Sequence, residues 1–495
     1  MSGPAAGLLS LPPDRKGRQA VSETDARTRD ADDAGFVLPE AESIGRALKD
    51  PGLHRQIWRI AAPAILANVS GPLVGVVDTW ALGHLGDPLY LAAIAVGAFL
   101  FHFVYWSFGF LRMGTTGLVA RAHGRRDGDE IAAITQRAML LGLVIGVLVL
   151  FVQGSLFALL ARALAADPAT ADLAERYWRI RILGAPAILL RLALIGVLIG
   201  LARARAALIV ELALNTVNAA LTAWFVAGLG LGITGAALGS LASEIVAAAI
   251  ALALVLAAER RSGIERWRPA RIRATVTDGR ALLALAHVNV FLFLRTLLLL
   301  AAFGLFWRKS AELGALTLAA NQVLMNFPML TSFGLDGIAY AAEALVGAAT
   351  GAGRRLRMHA TVLATAGWAL LAAALASLAF AVLGQDLVAF LTDIETVREV
   401  ARDHLHWVVW LPMIAVSSYH MDGVYIGWSA ARAMFATMSL AFAGYFWALD
   451  HFVPLAGSEG LWAALLLFLF LRGLVQLVCY PLVARRALPH GAREA

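Results

Sequence analysis

Apolar residues in this chain neither alternate nor trace a narrow stripe. They run in about twelve long blocks, at 57–82, 91–120, 134–160, 178–200, 206–228, 233–257, 281–306, 315–346, 360–384, 404–428, 434–453 and 460–484. Each is near the ~20 residues that a helix needs to cross a ~30 Å hydrocarbon core. Backbone in lipid must satisfy its own hydrogen bonds, so the blocks predict twelve transmembrane helices and an all-α integral membrane protein. Pro63, Gly71, Pro72, Pro186, Pro328 and Pro412 fall inside the blocks and predict bends there. Residues 48–59 predict a short interfacial helix leading into span 1. Residues 1–53 are polar and without periodicity, which predicts a disordered cytoplasmic tail. No charged start followed by a short apolar core and a small-residue cleavage site is present, so no cleaved signal peptide is expected.

Composition agrees with the blocks. The 495 residues are 60% hydrophobic and 15% charged, against ~25% charged in ordinary soluble domains. The formal charge of +7 is mostly arginine, with lysine only at Lys16, Lys49 and Lys309. Arginines fill the loops after spans 2, 4, 6, 8 and 10: Arg125 and Arg126, Arg203 and Arg205, the run from Arg260 to Arg273, Arg354 to Arg357, and Arg432. This excess orients the chain with both termini cytoplasmic, and argues against a nucleic-acid partner. A single cysteine, Cys479, excludes an intrachain disulfide and a multi-cysteine metal site. There is no Gly-x-x-x-x-Gly-Lys-Ser/Thr loop, His-Glu-x-x-His or Gly-x-Ser-x-Gly, so neither an ATP-driven pump nor an enzyme is expected.

The chain repeats itself. Gly196-Val-Leu-Ile-Gly-Leu-Ala-Arg-Ala-Arg-Ala206 returns as Gly423-Val-Tyr-Ile-Gly-Trp-Ser-Ala-Ala-Arg-Ala433, 227 residues later. At the same shift Leu91–Val96 matches Leu318–Val323. The expected organisation is a tail at 1–53, an N-lobe at 54–258, an arginine-rich cytoplasmic linker at 259–280, a C-lobe at 281–485 and a C-terminal tail at 486–495. The shift covers an even number of helices, so the two six-helix bundles run parallel, related by a pseudo-two-fold axis along the membrane normal.

Charges inside the spans mark candidate chemistry. Asp78 in span 1 costs roughly 2.5–3.5 kcal/mol on insertion scales and persists only if something compensates or uses it. It is a candidate proton carrier; the alternative is a static polar bridge that pins span 1. Asn215 and Asn218 share a helical face on span 5 and can orient Asp78 or ligate Na⁺. Asp336 and Glu343 lie two turns apart on span 8, and Arg295 on span 7 can pair with them in a second coupling or substrate site, or in a merely neutralised pair. Asp422 on span 10, with His420 beside it, is a further candidate. Arg112, Glu211, Glu244 and Arg472 read as structural pairs or helix-end anchors. Met113, Met325, Met329, Phe327, Phe333, Trp106 and Trp410 are candidates to line a central cavity.

The chain resembles the multidrug and toxic compound extrusion (MATE) family, in its DinF-like branch, over roughly residues 55–485. The motifs that carry this are Pro63 with Val77-Asp78-Thr79 and Gly83-His84-Leu85-Gly86; Phe110-Leu-Arg-Met-Gly-Thr-Thr-Gly117; Arg179-Ile-Arg181 with Ala185-Pro186; Asn215-x-x-Asn218; Leu335-Asp336-Gly337 with Glu343; and Met421-Asp422-Gly423 with Ile426-Gly427. The resemblance implies two six-helix lobes forming a V. It implies a monomeric antiporter in a bacterial cytoplasmic (inner) membrane that exports organic cations or other amphipathic toxic compounds against inward H⁺ or Na⁺, without a bound cofactor. Its N-lobe coupling site carries over to Asp78, Asn215 and Asn218, and a tenth-span carboxylate to Asp422. Relatives often place an Asp where this chain has Thr222, which favours H⁺ over Na⁺. Arg191, inside span 4, departs from the family pattern. A lipid or lipid-linked sugar flippase is the alternative, kept open by Arg112, Arg191 and Arg295.

Overall fold

The computed structural model describes residues 43–83, 88–164, 168–260 and 267–488. The tail before residue 43 and the His84-Leu85-Gly86 part of the span 1 motif lie outside them. The described chain forms twelve membrane-crossing helices. Spans 1 to 7 are Pro51–Gly83, Leu89–Gly124, Gly128–Leu164, Pro168–Gly200, Ala204–Gly228, Gly232–Arg260 and Gly279–Glu312. Span 8 is the pair Ala315–Leu324 and Asn326–Gly351, span 9 is Arg355–Leu391 and span 10 is Leu405–Gly427. Spans 11 and 12 form one helical run, Ala431–Ala487, turned back at Gly457.

Local chemistry accounts for the breaks. Span 1 divides into Pro51–Ser70 and Leu73–Gly83 at Gly71-Pro72, because proline removes a donor and crowds the preceding turn. Asp50 caps its start, accepting from the Gly52 N–H at 2.8 Å, with Pro51 in the first turn. A short helix, Ile44–Leu48, precedes it. Residues 44–48 and 51–53, expected in the tail, therefore lie in helices, with Ala47 and Leu53 buried. The expected interfacial helix over 48–59 is the first turns of span 1. The linker carries a helix, Pro269–Thr277, and span 12 runs to Ala487, just past the expected start of the C-terminal tail.

The repeat is visible in backbone geometry. Ala202 and Ser429, 227 positions apart, both take φ 55° in the turn that leaves the Gly-x-x-x-Gly segment. Arg126 and Gly353 (φ 58° and 70°), and Gly230 and Gly457 (φ 66° and 56°), are further pairs at the same separation. Left-handed backbone is costly for a residue with a Cβ, so its recurrence at matched positions points to a shared bundle architecture.

The lobes meet at the arginine-rich end. There Gly124 and Gly351 bring spans 2 and 8 into backbone contact: a Cβ on Gly124 would stand 2.0 Å from the Ala348 carbonyl oxygen, and one on Gly351 2.0 Å from that of Arg121. Arg121 donates to the carbonyls of Trp428 (3.1 Å) and Ala487 (3.3 Å) in the other lobe. The first turns of span 1 also pack on the C-lobe: Asp50 pairs with Arg357 at 2.9 Å, and Trp368 donates to His54 Nδ1 at 3.0 Å. The apolar core mixes residues of both lobes there, as with Leu53, Ile57, Leu335 and Ile338. Toward the opposite end the cores separate. One holds only N-lobe residues, including Leu82, Tyr177 and Ile233, and another only C-lobe residues, including Phe306, Tyr445 and Trp462.

Candidate coupling sites

Asp78 lies in the segment of span 1 beyond the Gly71-Pro72 break and is 1% exposed. Three hydroxyls from three helices donate to it: Tyr177 of span 4 at 3.1 Å and Ser240 of span 6 at 3.0 Å, both on Oδ2, and Thr222 of span 5 at 3.2 Å on Oδ1. Asn218 stands behind them, its Nδ2 donating to Ser240 Oγ (3.1 Å) and Thr222 Oγ1 (3.4 Å). Arg181 donates to the Tyr177 hydroxyl, so the nearest cation reaches the carboxylate through a tyrosine. Desolvation favours a neutral Asp78, and the three donors favour the ionised form. The balance depends on whether four helices hold the cradle together.

The expected residues divide. Asn218 belongs to the Asp78 site, one bond removed. Asn215 makes no bond to Asp78: its amide donates to the Ser70 carbonyl at 2.9 Å, at the break in span 1. The two asparagines share a face, but span 1 bends between their levels. Thr222, read as a missing carboxylate, is itself a direct donor. Tyr177 and Ser240 were not anticipated. Tyr177 sits one turn before Arg181 in the Arg179-Ile-Arg181 motif, which was the available signal.

The C-lobe site is built differently. Arg295 pairs with Asp422 rather than with Asp336 or Glu343, because span 7 presents it to span 10. Arg472 of span 12 donates to the same Asp422 oxygen, Oδ2, at 2.6 Å, and Gln476 Nε2 to Oδ1 at 2.8 Å. His420 points away, its Nε2 meeting Thr365 Oγ1 at 2.9 Å. Glu343 takes a two-bond pair from Arg112 across the lobe boundary (2.9 and 3.3 Å), and the Arg112 guanidinium lies 4.1 Å from the Tyr340 ring centre. Asp336 is half-buried, within electrostatic reach of Arg112, Arg472 and Asp422, and accepts no hydrogen bond from a described residue. Of the expected cavity-lining side chains, Phe327 is 1% exposed in the C-lobe core and lines no opening.

Arg191 also has partners. Its Nε and NH2 reach Glu244 of span 6 at 2.9 and 3.3 Å, and its NH1 reaches Glu211 of span 5 at 2.6 Å. Among the described residues, no group of three or more His, Cys, Asp and Glu side chains is arranged to hold a metal ion.

Two parallel six-helix bundles, joined at one end and holding buried carboxylates in each, define a two-lobed membrane transporter. The sequence profile of the MatE family matches residues 63–225 and 290–445, and the chain belongs to that family. It is 36% identical over 422 residues to the DNA damage-inducible protein F of Escherichia coli K12, covering 85% of this chain and 90% of that protein. It is 27% identical over 441 residues to the chloroplastic protein DETOXIFICATION 44 of Arabidopsis thaliana, covering 86% and 82%. Among solved structures, an outward-facing multidrug resistance MATE transporter superimposes with a TM-score of 0.74 at 19% identity, over 91% of this chain and 99% of that one.

Proposed function

We propose that this transporter is a proton-driven antiporter that exports organic cations or other amphipathic toxic compounds, with Asp78 as the proton carrier. The observation that carries this reading is the composition of the Asp78 cradle. A buried carboxylate held by hydroxyls, with its cation one residue away, can take a proton without stranding a bare charge. Protonation removes a charged acceptor from Tyr177, Thr222 and Ser240, whose donors must then turn elsewhere. Asn218 Oδ1, fully buried and without a partner, is an acceptor waiting in the same cradle. Loosening the cradle frees the Leu73–Gly83 segment to swing about Gly71-Pro72. A proton affinity that differs between the two arrangements couples the ion to the substrate.

The same reading places the protein in a bacterial cytoplasmic membrane as a monomer, with its arginine-rich end and both termini inside. The flippase alternative rested on a cationic central cavity. Arg112, Arg191 and Arg295 each pair with a carboxylate, so that support falls away. The test is transport in proteoliposomes loaded with a pH-sensitive dye, under a proton gradient without Na⁺. Lipophilic cations should release protons in the wild type and not in Asp78→Asn. Proton release that persists in this variant removes Asp78 from the mechanism. A flux that requires Na⁺ replaces the coupling ion.

A further inference from the structure

Among the described residues, once Arg112 is set aside for its pair across the lobe boundary, the N-lobe interior holds more negative charge than positive. Asp78, Glu211 and Glu244 are three carboxylates; Arg181 and Arg191 are the guanidiniums beside them. Arg112, the remaining buried arginine nearby, is committed to Glu343 across the lobe boundary. The five groups form one chain. Asp78 bonds Tyr177, which bonds Arg181; Arg181 lies within electrostatic reach of Glu244; Glu244 and Glu211 share Arg191. With all five ionised the set carries one surplus negative charge at membrane depth, where uncompensated charge is expensive.

The hydrogen bonds say which carboxylate is the surplus one. Glu244 faces Arg191 with both oxygens and matches its charge. Glu211 accepts one bond, at Oε1. Asn215 lies one turn further along span 5, on the same face, and is 8% exposed. Its Oδ1 is buried without a donor. A carboxylate offers nothing to an amide oxygen, whereas a protonated Glu211 brings a donor to that face.

We propose that Glu211 is a second seat for the coupling proton, nearer the arginine-rich end than Asp78. One proton neutralises the five-group set, and it alternates between the two carboxylates. Asp78 sits five residues before the end of span 1 that faces away from the arginine-rich loops; Glu211 sits seven residues after span 5 leaves them. An inward-moving proton passes the seats in that order. The titratable groups facing Glu211 and Glu244 are Tyr105 from span 2, Arg181 and Arg191 from span 4, and Tyr340 from span 8. Span 1 contributes Asp78, through Tyr177. Among the described residues, span 3 keeps Asp129 and Arg137 at its arginine-rich end, where they pair with Arg271 and Asp278.

This inference rests on the Asp78 reading, and infrared spectroscopy separates the two. Purified protein in detergent, containing glutamate with a ¹³C carboxyl, is taken from alkaline pH to about pH 7, where exposed glutamates, with ordinary values of ~4.3, stay ionised, and the C=O band of protonated carboxyl groups is recorded. In the wild type a label-shifted glutamate band should appear, and Glu211→Gln should remove it; Asp78→Asn, which leaves two carboxylates facing two guanidiniums, should weaken it. Wild-type protein gives a reading without substitution: a band with no glutamate component overturns the second seat. So does a glutamate band that survives Glu211→Gln. If the glutamate band behaves as expected but Asp78→Asn still moves protons in vesicles, Glu211 holds a proton and the Asp78 mechanism is the part that fails.

Discussion

Asp78 and Asp422 are both buried aspartates in six-helix lobes of one repeat, yet neither has a counterpart in the other lobe. The position 227 residues after Asp78 is Leu305, and the one 227 before Asp422 is Ile195. Asp78 is held by three neutral hydroxyls. Asp422 is held by two arginines and an amide. The first arrangement tolerates a proton. The second does not, because protonation would leave two buried guanidiniums without their shared counter-ion. The repeat preserved helices and turns, including the left-handed residues at Ala202 and Ser429, while the buried charges diverged. In the proposed mechanism the N-lobe is the titrating half and the C-lobe an electrostatic anchor.

Substitutions can break that contrast. Asp422→Asn should be the most damaging, destabilising the protein by ~3–5 kcal/mol, the usual cost of removing one partner of a buried ion pair. Thermal unfolding in detergent reads this directly, and a stability near wild type would mean that the arginines are not anchored by Asp422. Glu343→Gln should cost about 1.5–3 kcal/mol, since it exchanges a charged acceptor of Arg112 for a neutral one. Because that pair spans the lobes, cysteine cross-linking at the arginine-rich end should drop as well. Asp78→Asn should be mild by comparison. Interhelical hydrogen bonds in membranes average ~0.6 kcal/mol each, so weakening three costs at most about 2 kcal/mol, while proton coupling is lost altogether. Tyr177→Phe, which removes one donor, should cost ~0.6 kcal/mol and shift the pH dependence of transport without abolishing it.

The smallest effect concerns Asp50. Burial pushes its carboxyl upward, but the Arg357 hydrogen bond, the Gly52 N–H and the Arg357 charge together hold it below its ordinary 3.8. A lowered carboxyl stabilises the fold above its ordinary value, and that contribution fades as pH falls through the lowered one. The pair is partly exposed, so its worth is ~0.2–1 kcal/mol. Asp50→Asn should fall slightly short of wild type in unfolding at neutral pH, and the difference should shrink as pH falls below the ordinary carboxyl range.

The spans, their parallel repeat and the need of Asp78 for buried polar partners were legible because each follows from a rule acting along the chain: block length, sequence self-similarity, and the cost of charge in lipid. Contacts between distant helices were not. Arg295 was matched to span 8 by proximity in sequence, yet span 7 turns it to span 10. Arg112 finds Glu343 231 residues away. Hydroxyls such as Ser240 carry no periodic signal, since serine and threonine in a membrane helix usually bond their own backbone. Helical spacing and the family pattern both group Asn215 with Asn218. The bend at Gly71-Pro72 separates their targets, leaving Ser70 to one and the Asp78 cradle to the other.

The contrast between the lobes is tested most directly by counting protons released when a lipophilic cation is added to detergent-purified protein in weakly buffered solution, for wild type, Asp78→Asn and Asp336→Asn. Asp336 accepts no hydrogen bond from a described residue, so its asparagine variant leaves the C-lobe anchor in place. Proton release in the wild type and Asp336→Asn, with none in Asp78→Asn, is the expected result. Release that survives in Asp78→Asn and disappears in Asp336→Asn would put the titrating site in the C-lobe and contradict the division of labour.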